Sequence, residues 1–171
     1  MYFRLTILVG IFNWPLVRLL GVPFLILAGC AAAAGFLWSR RKEDSSVNLH
    51  RKFEDHNPLE LRAAFFFAGL FLLILVLTKL AFSYFGNSGA YILGAVLGVS
   101  DVDPFVMSMT QTESFANEPN VIAGAIAIAA ASNNVAKGIY AYMFGDRKTG
   151  LESMMLLLLL AAAGLLPLIW L

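Results

Sequence analysis

The stretch YILGAVLGVSDVDPFVMSMT, residues 91–110, is apolar and long enough to cross a bilayer, yet it carries two acids near its middle. About 20 consecutive apolar residues make one transmembrane helix. A charge at the centre of such a helix costs about 2.5–3.5 kcal/mol even on a lenient insertion scale. Asp101 and Asp103 are therefore expected to face protein, water or an ion rather than lipid.

The composition of the whole chain predicts a polytopic membrane protein. Hydrophobic residues make up 60% and charged residues 13% of the sequence, and the mean hydropathy is +0.78. Soluble domains carry about 25% charged residues. A net charge of +1, without basic runs beside aromatic residues, argues against a nucleic-acid partner. The single cysteine, Cys30, excludes an internal disulfide and is typical of a packing residue.

Six apolar segments divide the chain, and the first is too short for a full crossing. We predict an all-α transmembrane helix bundle that forms one domain, residues 1–171, with a polar connection at 39–57. The predicted segments are 2–12, 22–38, 57–85, 90–110, 121–144 and 151–171.

The fourth segment is expected to break around residues 98–104. Pro104 has no N–H, so the carbonyl of Ser100 loses its helical donor, and proline biases the preceding Asp103 away from helical dihedrals. On a regular helix two residues two positions apart point in nearly opposite directions. Only a break would turn both acids towards one cavity.

Small residues in two segments predict a close-packed contact. Gly94 and Gly98 loosen the fourth segment or allow a neighbouring helix to approach closely. The run GAIAIAAAS, residues 124–132, is more typical of a packing face than of a pore lining.

Lysine and arginine residues in the short connections predict the orientation. Residues 39–62 hold six of them and are placed in the cytoplasm, whereas residues 86–89 hold none. Four full crossings after the basic connection would leave both termini inside but Arg147 and Lys148 outside. A re-entrant fourth segment would return those two residues to the cytoplasm, so both topologies stay open.

A candidate internal repeat relates residues 2–38 to residues 135–171 at a constant offset of 133. Arg4 then aligns with Lys137, although the alanine and leucine runs around them align easily by chance. Repeats of this kind are common in transporters.

Polar residues of the fourth and fifth segments share one depth. Ser100 is the midpoint of the fourth segment, so both acids lie within about 5 Å of the bilayer centre. Ser132 and Asn133 mark the midpoint of the fifth segment, and Asn134 follows. Lys79 and Lys137 each lie about 7 Å from that centre.

The oxygen atoms of this polar layer predict a cation or proton site. Carboxylate, amide and hydroxyl oxygens are the ligands that hard cations such as Mg²⁺ prefer. The candidate site consists of Asp101, Asp103, Ser100, Asn133 and Asn134. A proton bound to either acid would offer a mechanism that couples transport to proton movement.

The two lysines leave other interpretations open. Lys79 and Lys137 are expected to compensate the charge of the acids, either as part of an anion pathway or as structural ion pairs without transport. Serine and asparagine also commonly bridge transmembrane helices. Enzyme activity and a cofactor are not expected, because the sequence contains no nucleophile–base pair, phosphate-binding loop or metal-binding helix motif.

Three motifs resemble the uncharacterised membrane domain at the C-terminus of MgtC/SapB-type bacterial proteins. They are NPLELR (57–62), the turn-plus-DVD segment (86–103) and SNNVAK (132–137). The resemblance extends over most of the chain and implies a multi-pass protein of the bacterial inner membrane with no assigned activity. Members of that family usually carry further helices upstream, so this chain is expected either to be a truncated or split version or to be completed by a second copy or another membrane subunit.

The lead hypothesis is a transport protein or transport subunit with a cation or proton site at mid-depth. The alternative is a non-transporting regulatory or scaffold subunit, in which the polar cluster serves only helix packing. The expected partners are the lipid bilayer and either a homo-oligomer or a second membrane subunit that docks on residues 39–57.

Overall fold

The computed structural model describes residues 1–41, 61–111, 118–145 and 147–169. Within these ranges the chain forms seven α-helices, a short 3₁₀ helix and no strand, which confirms the all-α prediction. The helices are α1 (Tyr2–Phe12), α2 (Trp14–Arg41), α3 (Leu61–Phe85), α4 (Asn87–Gly98), α5 (Val102–Gln111), α6 (Pro119–Phe144), α7 (Arg147–Gly164) and the 3₁₀ helix Leu166–Ile169. Of the predicted connection 39–57, residues 42–57 lie outside the described residues.

The protein is a membrane protein, because four of its helices are long and apolar enough to span a bilayer. These stretches are Trp14–Leu37, Ala68–Phe85, Pro119–Phe144 and Arg147–Leu168. In three of the four, less than a fifth of the most apolar window is buried, whereas 72% of that window of α6 is buried inside the protein. An apolar surface this large is stable in lipid rather than in water. The bundle is therefore organised around α6.

The second helix begins at Trp14 rather than at the predicted Val22. Asn13 precedes it, and its Oδ1 accepts a hydrogen bond from the backbone N–H of Leu16 at 3.4 Å. Pro15 follows in the first turn, where a missing N–H leaves no helical hydrogen bond unmade. Asn13 therefore lies at the end of α1 and also provides the hydrogen bond at the beginning of α2.

Helix α1 folds back along α2 instead of continuing it. The ring centroids of Tyr2 and Phe24 lie 5.1 Å apart. On one continuous helix these residues would be separated by about 33 Å. The first residues of α1 therefore lie level with the middle of the α2 span.

Helices α4 and α5 form a hairpin, which confirms the predicted break and locates it at residues 99–101. A Cβ atom at Gly94 would lie 3.3 Å from Cε1 of Phe105. A continuous helix would separate these two residues by about 16 Å. The hydroxyl of Ser108 in α5 also donates a hydrogen bond to the hydroxyl of Thr78 in α3, at 3.2 Å.

Helix α4 runs parallel to α6, and this contact determines the topology. Gly94 lies against the backbone of Ala125, and Gly98 lies against the backbone of Ala129. Residue numbers therefore increase in the same direction along both helices. The chain between α4 and α6 must therefore return to the side on which α4 began. Of the two topologies that the sequence left open, the structure has the re-entrant one, because two short helices enter and leave on one side.

The prediction that residues 124–132 form a packing face is confirmed at this crossing. Ala125, Ala129 and Ala130 of α6 are fully buried. Beside them the hydroxyl of Ser132 donates a hydrogen bond to the carbonyl of Ala95 in α4, at 2.6 Å. Small side chains let the backbones approach, and the serine then links the two helices.

The re-entrant hairpin places the start of α7 on the same side as the connection between α2 and α3. Three helices, α3, α6 and α7, cross after that connection. Arg147 and Lys148 therefore lie on the same side as Arg40 and Arg41 at the end of α2 and Arg62 at the start of α3. This arrangement is what the positive-inside rule requires of short connections.

The predicted repeat of residues 2–38 and 135–171 stays a prediction. At the offset of 133 the helix ends agree closely, since α1 ends at Phe12 and α6 at Phe144, and α2 begins at Trp14 and α7 at Arg147. However, α1 has 11 residues and α6 has 26, so the two units differ in length.

Cysteine labelling checks the topology. With Cys30 replaced by alanine, Ser88→Cys and Gln111→Cys are expected to react with a membrane-impermeant maleimide from the same side of the membrane. Lys148→Cys should react only from the other side. Labelling of the first two positions from opposite sides would contradict the hairpin.

Candidate functional site

Two short helices meet α6 at mid-depth. The tip of the α4–α5 hairpin lies at residues 99–101, one helical turn from the crossing of Gly98 and Ala129. The first turn of α1 contacts both α5 and α6. The polar layer predicted from the sequence is therefore formed by α1, α5 and α6.

Asp101 caps the N-terminus of α5. Its Oδ1 accepts a hydrogen bond from the backbone N–H of Asp103 at 3.2 Å. A side-chain oxygen at this position satisfies one of the N–H groups that a helix start leaves unbonded. The N–H groups of Ser100 and Asp101 both bond the carbonyl of Leu97, at 3.1 and 3.2 Å, which closes the turn. The side chains of Ser100 and Asp101 are exposed.

Asp103 lies in the first turn of α5 and forms an ion pair with Arg4 of α1. Nη2 of Arg4 lies 2.8 Å from Oδ1 of Asp103, and the side chains are 59% and 21% exposed respectively. This distance is typical of a charge-assisted contact between a guanidinium and a carboxylate. The contact is therefore mainly electrostatic.

The expectation that Pro104 turns Asp103 out of helical geometry is wrong. Both residues belong to α5, which begins at Val102. The N–H groups of a first helical turn have no helical acceptor, so proline is tolerated there. The two acids are consequently engaged separately, Asp101 with the backbone and Asp103 with Arg4.

Arg4 was not among the predicted site residues, whereas Lys79 was predicted to compensate the charge of the acids. Arg4 is the only charged residue of YFRLTILVGIF (2–12), and an ionisable residue within an apolar segment is a functional candidate. This charge within an apolar segment would have been sufficient to identify Arg4 as a candidate site residue. Lys79 is exposed on α3 and takes part in no ion pair or hydrogen bond within the described part of the chain.

Asn134 takes part in a hydrogen-bond relay across three helices. Its Nδ2 donates to the hydroxyl of Tyr2 at 2.9 Å, and that hydroxyl donates to the carbonyl of Leu160 at 2.7 Å. Asn134 and Tyr2 are both buried. The relay joins α6, α1 and α7, so the amide nitrogen of Asn134 is committed to packing. An aromatic residue at the start of an apolar segment gave no signal of this role.

Asn133 is only 4% exposed, and its Oδ1 has no hydrogen-bond partner. It lies one turn beyond Ala129, so it continues the row of α6 residues that faces α4. Because α4 ends at Gly98, Asn133 faces the hairpin tip. A buried acceptor without a donor is destabilising by about 1–3 kcal/mol. A donor or a cation is therefore expected at this oxygen.

Lys137 lies one turn beyond Asn133 and is exposed. It is close enough to Asp103 for an electrostatic interaction. Two cations, Arg4 and Lys137, thus balance two acids, Asp101 and Asp103, around the tip. Among the residues that the structure describes, no group of three or more aspartate, glutamate, histidine or cysteine side chains is placed to hold a metal ion.

Comparisons with known proteins identify similarities without a function. The profile of the family described as "Domain of unknown function (DUF4010)" matches residues 1–145. A protein of Aquifex aeolicus (strain VF5), described as an uncharacterized protein, is 28% identical over 131 residues. That match covers 76% of this chain and 55% of the relative, so the chain spans about half the relative's length. No solved structure matches the chain. These similarities do not test the MgtC/SapB resemblance, which stays a prediction.

Proposed function

The chain belongs to the DUF4010 family, and because the description of that family assigns no function, we propose one from the site. The protein is a transport protein, or a subunit of one. Its mid-depth site binds a proton or a cation between Asp103 at the hairpin tip and Asn133 on α6. Interrupted helices that meet at mid-depth are a common way for transporters to build ion sites.

One observation supports this proposal most directly. Oδ1 of Asn133 is buried and has no hydrogen-bond partner, and Oδ1 of Asp103 has the guanidinium of Arg4 beside it, with Nη2 at 2.8 Å. Both are acceptors, and both belong to the polar layer. A species that brings a hydrogen or a positive charge satisfies such oxygens, whereas an anion does not. This favours the cation or proton pathway over the anion pathway.

Arg4 provides a means of coupling. While Arg4 is paired with Asp103, this part of the site is neutral. When a proton or cation occupies Asp103, either Arg4 leaves or the site gains a positive charge. Because an unbalanced charge at mid-depth costs about 2.5–3.5 kcal/mol, occupancy of Asp103 favours movement of α1. Binding at the tip and displacement of the helix are thus linked.

A proton or a monovalent cation suits this geometry better than Mg²⁺. Magnesium is usually held by one or two carboxylates together with several water molecules. Here Asp103 is balanced by Arg4, and one oxygen of Asp101 is bonded to the backbone. A proton or a monovalent cation carries a single positive charge, so it does not need a second carboxylate that is free of other partners.

The proposed setting is the bacterial inner membrane, with residues 39–57 in the cytoplasm. The common side of Arg147, Lys148, the end of α2 and the start of α3 supports this orientation. A second copy or another membrane subunit covers the tip. Support comes from Arg4, Asp101 and Lys137, since these exposed charges at mid-depth are not solvated by lipid.

Flux measurements in proteoliposomes test the proposal, with a pH-sensitive dye inside and an imposed gradient of protons, Na⁺ or K⁺. Asp103→Asn is expected to lower the flux about tenfold or more, equivalent to about 1.4 kcal/mol. Asp101→Asn is the matched control. It should keep the flux, because asparagine caps a helix as well as aspartate does.

The same assay contains the outcomes that would overturn the proposal. Unchanged flux in Asp103→Asn would remove the acid from the transport pathway. Equal losses in both variants would mean that the two acids act as one site, against the separate roles assigned above. Circular dichroism of each variant shows whether the helices remain folded.

A regulatory or scaffold subunit is the second candidate function. The relay from Asn134 through Tyr2 to Leu160 favours it, because that relay ties three helices together without needing an ion. This candidate requires that no flux depend on Asp103 and that a membrane partner co-purify with the protein.

A further inference from the structure

A groove between α2 and the end of α7 combines an apolar wall with one cation. Its volume is about 420 Å³, within the range of about 300–1,000 Å³ of small-molecule pockets. We infer that this groove binds an anionic phospholipid whose head group also carries hydroxyl groups. The residues that carry the inference line the groove: Arg18, Leu19, Pro23, Leu27, Ala163 and Pro167.

Arg18 lies at the depth of lipid head groups. It follows Trp14, the first residue of α2, by one helical turn, or about 6 Å. Trp14 is 66% exposed, and tryptophan is enriched where a membrane meets water. No ion pair within the described ranges involves Arg18. Its guanidinium is therefore available for a phosphate, which it matches with two parallel hydrogen bonds.

Two prolines leave backbone acceptors beside Arg18. Pro23 lies inside α2 and has no N–H for the carbonyl of Leu19. Ala163 lies in the last turn of α7, and Pro167 supplies no N–H to its carbonyl. All four residues line the groove. Carbonyls without a helical donor at a lipid-facing site need another donor, and the glycerol hydroxyls of a head group provide one.

The remainder of the groove suits an acyl chain. Ile26 and Leu166 belong to its wall and are 60% and 56% exposed. A lipid can therefore enter sideways from the bilayer, with its phosphate on Arg18 and its chain running towards Leu27. Phosphatidylglycerol combines the required negative charge, hydroxyl groups and acyl chains.

Native mass spectrometry of the purified protein with phosphatidylglycerol or phosphatidylcholine tests this site. The wild type is expected to retain phosphatidylglycerol preferentially. Arg18→Gln should lower that affinity about tenfold, the equivalent of one charge-assisted hydrogen bond. Arg147→Gln, which removes an exposed arginine at the opposite end of α7, should leave the affinity unchanged.

A second variant tests the groove independently of charge. Ala163→Phe fills the space beside Pro167 and should lower the binding of phosphatidylglycerol without altering the net charge. Equal binding by Arg18→Gln and Arg147→Gln would overturn the inference. So would equal retention of the two lipids by the wild type, or full binding by a folded Ala163→Phe variant, because lipid would then coat the surface without a specific site.

Discussion

Replacing Gly98 with leucine is expected to destabilise the protein by about 3 kcal/mol or more, because it overpacks the close crossing of α4 and α6. A Cβ atom at Gly98 would lie 2.9 Å from Cα and 3.0 Å from the carbonyl carbon of Ala129. Backbone atoms cannot move aside as a flexible side chain would, so α4 has to leave α6. Because this crossing also positions the hairpin tip opposite Asn133, the site should be displaced as well.

Gly69→Leu is the matched control for this substitution. Gly69 is an exposed glycine of α3, and nothing lies within 4 Å of a Cβ atom there. Leucine is the better helix former by somewhat less than about 1 kcal/mol, so this variant should be as stable as the wild type or slightly more so. Titration with sodium dodecyl sulfate, followed by circular dichroism, measures the free energy of unfolding of both. Equal stability of the two variants would contradict a close crossing at Gly98.

The helices and the break at residues 99–101 follow from local sequence, whereas the direction of the chain after the break does not. Hydropathy and Pro104 indicate where a helix is interrupted, but an interrupted segment can continue, bend or reverse. The reversal depends on Gly94 packing against Phe105 and Ala125, residues that lie elsewhere in the chain. The only indication of the reversal in the sequence was indirect. A full crossing of the fourth segment would have placed Arg147 and Lys148 outside, against the positive-inside rule.

A common depth for the polar residues was predicted from their positions along the helices and stays a prediction. The partners within the layer were not predictable. Arg4 and Asp103 lie on helices far apart in the chain, and their contact depends on how α1 folds back on α2. The different roles of Asp101 and Asp103 depend on the residue at which α5 begins. A shift of one residue would give the capping position to another side chain, and sequence patterns do not locate helix ends so closely.

Removing either partner of the Arg4–Asp103 pair is expected to be more destabilising than the loss of one surface ion pair. Arg4→Gln and Asp103→Asn should each cost about 2.5–3.5 kcal/mol, because each leaves one unbalanced charge at mid-depth. The double variant leaves no unbalanced charge at this pair. Its destabilisation should therefore fall short of the sum of the single effects by about 1–3 kcal/mol. Detergent titration of the four proteins measures this coupling energy.

A parallel cycle with Arg18→Gln distinguishes a specific pair from general charge balance. Arg18 is an exposed arginine on α2 that forms no ion pair in the described ranges, so its substitution and Asp103→Asn should be additive. If the cycle with Arg4 were equally additive, the contact of 2.8 Å would contribute nothing to stability. Occupancy of Asp103 could then no longer drive α1, and the proposed coupling would fail even if Asp103 still bound a proton. Strong coupling with Arg4 alone would instead mean that each proton or cation reaching Asp103 has to displace a specific partner, which links binding at the hairpin tip to movement of a helix.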